Sequence, residues 1–135
     1  MKLFLICSKS FYKDIPSYLK ALEKKHEIVF PNSYDNPREE KESFDRGEQA
    51  HRDFKRKAFE RSRKVINDVD AVLCFNFEKG GRKNYIGGAT FLELYDAYMA
   101  NKKIFLWNDI PEGILYDEIH GFAPVIIHGD LRLIK

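Results

Sequence analysis

Apolar residues along this 135-residue chain fall into short unbroken runs, separated by stretches in which they recur every three or four positions. The runs have strand length: 2–7 (KLFLIC), 27–30 (EIVF), 69–77 around AVLCF, 103–107 (KIFLW) and 124–127 (PVII). Continuous runs of this kind suit strands buried on both faces, as in a parallel sheet. Three of the intervening stretches read as helices. Residues 15–25 carry Ile15, Tyr18, Leu19 and Leu22 at helical spacing, with Asp14 as a candidate cap and Pro16 in the first turn. Residues 47–67 line up Ala50, Phe54, Ala58 and Val65, with Phe59 and Ile66 beside them. Residues 89–101 present Phe91, Leu92, Leu94, Tyr95 and Tyr98, and a shorter helical or turn segment is expected from Pro111 to about Ile119. Five strands separated by helices predict an α/β fold, a doubly wound parallel sheet in the order 2-1-3-4-5.

Two segments stand outside this alternation. Residues 32–46 are rich in Asn, Pro, Ser, Asp and Glu with no apolar period, and are expected to form a functional loop such as a lid, or a partly disordered one. Residues 129–135 fit an extension of the fifth strand, a tail or a segment pairing with another subunit.

Composition narrows the classes. A chain of this length with 44% apolar residues is expected to form one globular domain, residues 1–135. No apolar run approaches the ~18 residues of a membrane span, and the apolar start is too short for a secretory signal, so a cytoplasmic location is expected. A net charge of +2 does not call for a nucleic-acid or membrane partner. The helix 47–67 is flanked or studded by Arg46, Arg52, Lys55, Arg56, Lys57, Arg61, Arg63 and Lys64. Those charges read either as an attractor for phosphates or as a solvated face; without interleaved aromatics they do not make a nucleic-acid platform. Cys7 and Cys74 lie in predicted strands and read as small buried hydrophobes. His26, His51, His120 and His128 are scattered without ligand spacing, so no metal site is expected.

The expected strand order reverses between strands one and three, which places chemistry in the crevice between the loops that follow them. The first loop offers Ser8, Lys9 and Ser10 just ahead of a helix, where hydroxyls, an ammonium and free amides suit an anion; serines that merely cap the helix are the alternative. The second holds Gly80, Gly81, Gly87 and Gly88 around Arg82, Lys83, Asn84 and Tyr85, and its glycines let backbone approach a ligand. Asn84, Tyr85, Gly87 and Gly88 are therefore candidate substrate-binding positions. Neither loop matches a dinucleotide fingerprint or a P-loop, and no cofactor is expected. Glu93 has two readings. Thr90 and Glu93 have capping-box spacing, which would turn the glutamate back onto its own helix. Placed in a crevice, the same carboxylate can act as a nucleophile at an electrophilic carbon. Asp70, at the entrance to the third strand, is either a second acid for that chemistry or a solvated residue in a polar turn with Asn67 and Asp68.

A strand opening at Asp70 (DAVLCF), a glycine-bearing loop and then GATFLELYDAY resemble the nucleoside 2-deoxyribosyltransferase-like superfamily, which includes the deoxyribosyltransferases and the nucleoside 5'-monophosphate N-glycosidases. The specific part is Asp70 and the pattern G-x-x-x-x-E-L-x-x-A at Gly88, Glu93, Leu94 and Ala97; LFLICS is also similar to the family's first strand and substrate loop. The resemblance implies a flavodoxin-like three-layer sandwich and cleavage of a sugar–nucleobase bond. It implies that Glu93 attacks the anomeric carbon, that Asp70 orients substrate or handles a proton, and that the protein forms a homodimer or larger homo-oligomer around a nucleoside or nucleotide. Many members have a tyrosine in the first strand against the nucleophile; Phe4 stands there in this chain, and Tyr85 is the candidate replacement. The transferases also place an acid several residues before the nucleophile, where this chain has Tyr85, Ile86, Gly87 and Gly88. A catalytically silent nucleotide-binding or sensing module on the same fold, and a protein that docks partners through its basic helix, are the competing expectations. The enzyme requires a recessed Glu93 facing the crevice with Asp70 within a substrate's width, whereas the binding module places Glu93 on its cap.

Overall fold

The computed structural model describes residues 1–135. Five strands, β1 (Lys2–Ile6), β2 (Glu27–Val29), β3 (Ala71–Cys74), β4 (Lys103–Leu106) and β5 (Val125–Ile126), pair in parallel in the order 2-1-3-4-5. Helices α1 (Pro16–Glu23), α2 (Glu39–Asp45), α3 (Glu48–Asp68), α4 (Gly88–Met99) and α5 (Tyr116–Gly121) connect them. This is the flavodoxin-like, three-layer arrangement that the alternation of runs and periodic stretches calls for.

The central strands are unbroken apolar runs because alternate side chains enter two different cores. Leu3 and Leu5, with Leu73, Phe75, Phe105 and Trp107, pack toward Ile15 and Leu22 on the α1 side. Phe4 and Ile6, with Val72, Cys74 and Leu106, meet Ile66 of α3, Leu94 and Ala97 of α4 and Ile119 of α5 on the other. The C-terminal residues join the α1 layer: a 3-10 turn at Leu131–Leu133 leads to Ile134, buried in that core, so the last residues neither extend β5 nor trail as a tail.

Two local expectations are corrected. Residues 32–46 contain a helix, α2, which a periodicity reading misses because it is exposed almost all round; its only buried residue is Ser43. The 3-10 helix Lys9–Asp14 occupies the first loop, and Asp14 does not cap α1, which begins after Ile15 with Pro16 at its start and no side-chain cap. No helix is long and apolar enough to cross a membrane.

The carboxyl ends of β3 and β4 are clasped by a buried amide pair. Asn76, fully buried, donates to the carbonyls of Asn108 (3.1 Å) and Asp109 (2.9 Å) and accepts from the Asn108 amide (2.8 Å). Asn108 returns a bond to the Asn76 carbonyl (3.1 Å), so no buried side-chain polar atom of the clasp is left without a partner.

Candidate functional site

With the sheet reversing between β1 and β3, the loops after these strands part and leave a cavity of about 310 Å³ at their carboxyl ends. One wall is Cys7, Ser8, Lys9 and Tyr12; a second is Pro31, Asn32, Ser33 and Glu40; α3 contributes Phe54, Lys55, Phe59 and Ser62; and α4 closes the remaining side with Gly88, Thr90, Glu93 and Asp96.

Glu93 does not fold back onto its helix. The N-cap of α4 is Gly87, no side chain caps it, and the capping-box geometry is absent. The Glu93 carboxylate instead accepts a 2.8 Å hydrogen bond from the Ser62 hydroxyl across the α3–α4 interface and lines the cavity. Burial pushes its pKa up to about 7, against the Ser62 hydrogen bond and the positive charges of Arg61 and Lys55, which favour the ionised form; Asp96, one turn on, adds to the rise. A carboxylate with a pKa near neutrality, aimed into a crevice, is chemically able to serve as nucleophile, base or acid. Cys7 and Tyr12 are pushed the other way for reactivity: burial raises both above their ordinary values and keeps thiol and phenol protonated.

The opposite side of the cavity is cationic and already engaged. Glu40 reaches from α2 to Lys9 (2.5 Å) and to Lys55 (3.2 Å), with His51 at 3.7 Å. Burial works to raise the Glu40 pKa, but these lysine hydrogen bonds and charges more than offset it and hold the carboxyl below its usual value. The segment 32–46 thus comes down over the cavity as a covering element anchored by one carboxylate. The start of α4 lines the same cavity. Its first intrahelical bond is from Phe91 N to Gly87 O (2.9 Å), which leaves the amides of Gly88, Ala89 and Thr90 free of intrahelical partners. Thr90 is 3% exposed and lines the cavity, and no capping bond occupies its hydroxyl.

The glycine loop is a tight basic hairpin. Lys79 and Arg82 pair as an isolated bridge across Gly80 and Gly81, both at positive φ where glycine is favoured. Both cations then lie on the Tyr85 ring, Lys79 Nζ at 4.8 Å and Arg82 Cζ at 5.0 Å from its centroid, and Lys79 also donates to Ser8 Oγ (3.3 Å). A Cβ at Gly87 would sit 3.3 Å from the Tyr85 hydroxyl, so glycine there lets the ring fold against the helix start. Tyr85 forms the partition between this cavity and a wider cleft that runs to Asp109 and Leu115.

Six of the residues expected at the site meet in the cavity: Glu93, Ser8, Lys9, Tyr85, Gly87 and Gly88. Three do not. Ser10 is exposed, its amide bonding Ser8 Oγ at 3.4 Å, and Asn84 turns at positive φ into the neighbouring cleft. Asp70 is a correction of consequence: its carboxylate accepts from Lys2 N (2.7 Å) at the amino ends of β1 and β3. Five residue steps lead from Lys2 to Cys7, about 17 Å at 3.3 Å per residue, so Asp70 and Glu93 stand at opposite ends of the sheet. A residue that precedes a parallel strand faces the wrong end for chemistry. Reading the chain did not single out Asn32, Glu40, Ser62 or Asp96, although Asn32 and Glu40 fall in the segment 32–46 expected to form a functional or partly disordered loop, and Lys55 was one of the helix cations read as an attractor for phosphates or a solvated face. Asp96 carried a further signal, three residues beyond Glu93 and therefore on the same helical face. No protein-family model matches this sequence, and no curated protein is significantly similar to it.

Proposed function

We propose that the protein is an N-glycosidase or glycosyl transferase that cleaves the sugar–base bond of a nucleoside or nucleotide, with Glu93 as nucleophile. The observation that supports this best is the Glu93 carboxylate itself: released from its helix cap, hydrogen-bonded by one serine and directed into a cavity large enough for a sugar. Ionised Glu93 attacks the anomeric carbon, the glycosidic C–N bond breaks with its electron pair passing to the base, and the base leaves with a proton. Water or a second base then attacks the glycosyl ester and restores the carboxylate. Asp96 is the second acid on the same side of the cavity and replaces Asp70 as the group that handles the proton. Phe54, Phe59 and Leu92 offer an apolar wall for a base, while the amides of α4, the Thr90 hydroxyl, Ser8 and Lys9 suit the phosphate of a nucleoside monophosphate.

The same reading assigns a homodimer to the face of α4 turned from the core. Leu92, Tyr95, Tyr98 and Met99 are exposed there, and Leu92 also lines the cavity, so a second copy on this face would wall the site. The free thiols of Cys7 and Cys74 fit a reducing, cytoplasmic setting.

Release of free base from a panel of nucleosides and nucleoside monophosphates, with and without an acceptor base, tests the proposal. Release that disappears in Glu93→Ala is the expected result. A second reading, a nucleotide-binding module without turnover, is favoured by one observation, the position of Asp70 far from the cavity. No release from any substrate, while nucleotides still raise the melting temperature, would replace the first reading with the second.

A further inference from the structure

A chain of hydrogen bonds runs to Glu93 from outside the cavity. It begins at Arg61, whose guanidinium donates to the side-chain oxygen of Asn32 and to the Phe30 carbonyl (3.2 Å). With that oxygen engaged, the Asn32 amide nitrogen faces α3, where it donates to Ser62 Oγ (2.7 Å) and to the Ala58 carbonyl (3.1 Å). The Asn32 carbonyl is itself held by the Tyr12 hydroxyl (2.7 Å). A serine hydroxyl has one hydrogen. Because Ser62 accepts from the Asn32 amide, its hydrogen is left for the Glu93 carboxylate at 2.8 Å. Each bond thus sets the polarity of the next, and Ser62, itself 3% exposed, has no solvent rotamer to escape to.

We propose that Arg61, Asn32 and Ser62 are positioning residues that fix the direction and the ionised form of the Glu93 carboxylate, the part that a first-strand hydroxyl would play were Phe4 not there. This deepens the reading of Glu93 as nucleophile and rests on it for its catalytic consequence, although the chain's effect on the carboxylate is measurable without turnover. Tyr85, the replacement expected from the loop, is held between Lys79 and Arg82 instead. Phe4 is fully buried, with Arg61 above its ring (5.8 Å), so the apolar side chain in the strand and the guanidinium that starts the chain pack as one unit. The chain joins three elements that are far apart in sequence: the segment after β2, α3 and α4. Charged and titratable groups around Glu93 are Arg61 and Lys55 from α3, Asp96 from α4, Cys74 from β3, Cys7, Lys9 and Tyr12 from the first loop and Glu40 from α2. Of these, none but the chain supplies a hydrogen bond to the carboxylate.

The test is the titration midpoint of Glu93, followed through carboxyl-labelled glutamate by NMR in the full chain and assigned by the signal lost in Glu93→Gln. Ser62→Ala and Asn32→Ala are each expected to raise the midpoint, because each removes or frees the donor that favours the anion. Combined, they are expected to raise it no further than Ser62→Ala alone, since Asn32 acts through Ser62. Ser62→Cys fills the space with a weaker donor and raises the midpoint in a well-packed protein, while Ser62→Thr keeps the hydroxyl and restores it. Single-turnover base release at pH 7 should fall about 10- to 100-fold in Ser62→Ala with KM little changed. An unmoved midpoint in both Ser62→Ala and Ser62→Cys, or additive shifts in the double variant, would overturn the chain. Shifted midpoints in a protein that releases no base would uphold the chain and remove the glycosidase reading; base release that depends on Glu93 but not on Ser62 would do the reverse.

Discussion

Placing a carboxylate in the wall of a cavity has a cost that pH exposes. The Glu93 pKa rises from an ordinary 4.5 to about 7 on folding, chiefly because burial disfavours the charged form. Between these values the native state holds a proton that the unfolded chain has released, so the slope of stability with pH is negative there. The whole penalty is present above pH 7 and absent below pH 4.5. At about 1.4 kcal/mol per pH unit, it amounts to about 3 kcal/mol, a large part of a small domain's stability. Glu93→Gln removes the charge and keeps an oxygen to accept from Ser62. The variant should therefore be more stable than the parent by about 3 kcal/mol at pH 8 and about equal to it at pH 4. Urea unfolding followed by the fluorescence of the single tryptophan, Trp107, which is buried beside Tyr18 and Phe75, gives the measurement. The unfolding midpoint of the variant should lie roughly 1–2 M higher at pH 8. Other titrating groups act on both proteins alike and cancel in the difference. A difference that is flat from pH 4 to pH 8, or that favours the parent at high pH, would refute the placement of Glu93 in a desolvated site.

The remaining predictions concern the clasp, the misplaced acid and the anion subsite. Asn76→Ala removes three hydrogen bonds from a fully buried side chain and strands the Asn108 amide, and should cost about 2–4 kcal/mol by the same urea assay. Asp70→Asn should leave base release within about twofold of the parent, because Asp70 acts at the amino ends of the strands; a loss of a hundredfold would contradict the geometry. Thr90→Val keeps shape and removes the one buried hydroxyl beside the free amides of α4, and should weaken nucleoside monophosphates about tenfold while leaving free nucleosides unchanged, read by calorimetric titration.

The layered α/β architecture was present in the chain as pattern. Unbroken runs such as KLFLIC and KIFLW are a local consequence of burial on two faces, and the helical stripes are a consequence of burial on one, so strand order and layer followed from alternation and crossover rules. Glu93, Ser8, Lys9 and the glycines were legible for the same reason: a doubly wound sheet dictates which loops flank its crevice. Of the two readings of Asp70, the exposed residue at the strand entrance is the one the structure bears out, and the role the resemblance implied for it fails because a strand has two ends and chemistry lies at the other. The polar helix α2 was invisible to periodicity, since it buries almost nothing and is held by Glu40 reaching Lys9 and Lys55.

What the chain alone determined was where backbone must run and which residues must be inside, for these depend on spacing along one element. What only the tertiary structure decided was which polar atoms face each other across elements. Thr90 and Glu93 satisfy a local capping rule, yet Glu93 bonds Ser62, 31 residues away, because the packing of α3 on α4 brings a stronger partner than its own helix end. Asn32, Ser62 and Arg61 carry no motif, and hydrogen bonding between side chains has no period. Their convergence on one carboxylate arises when β2, α3 and α4 pack together, and only there does an ordinary glutamate acquire a pKa near neutrality.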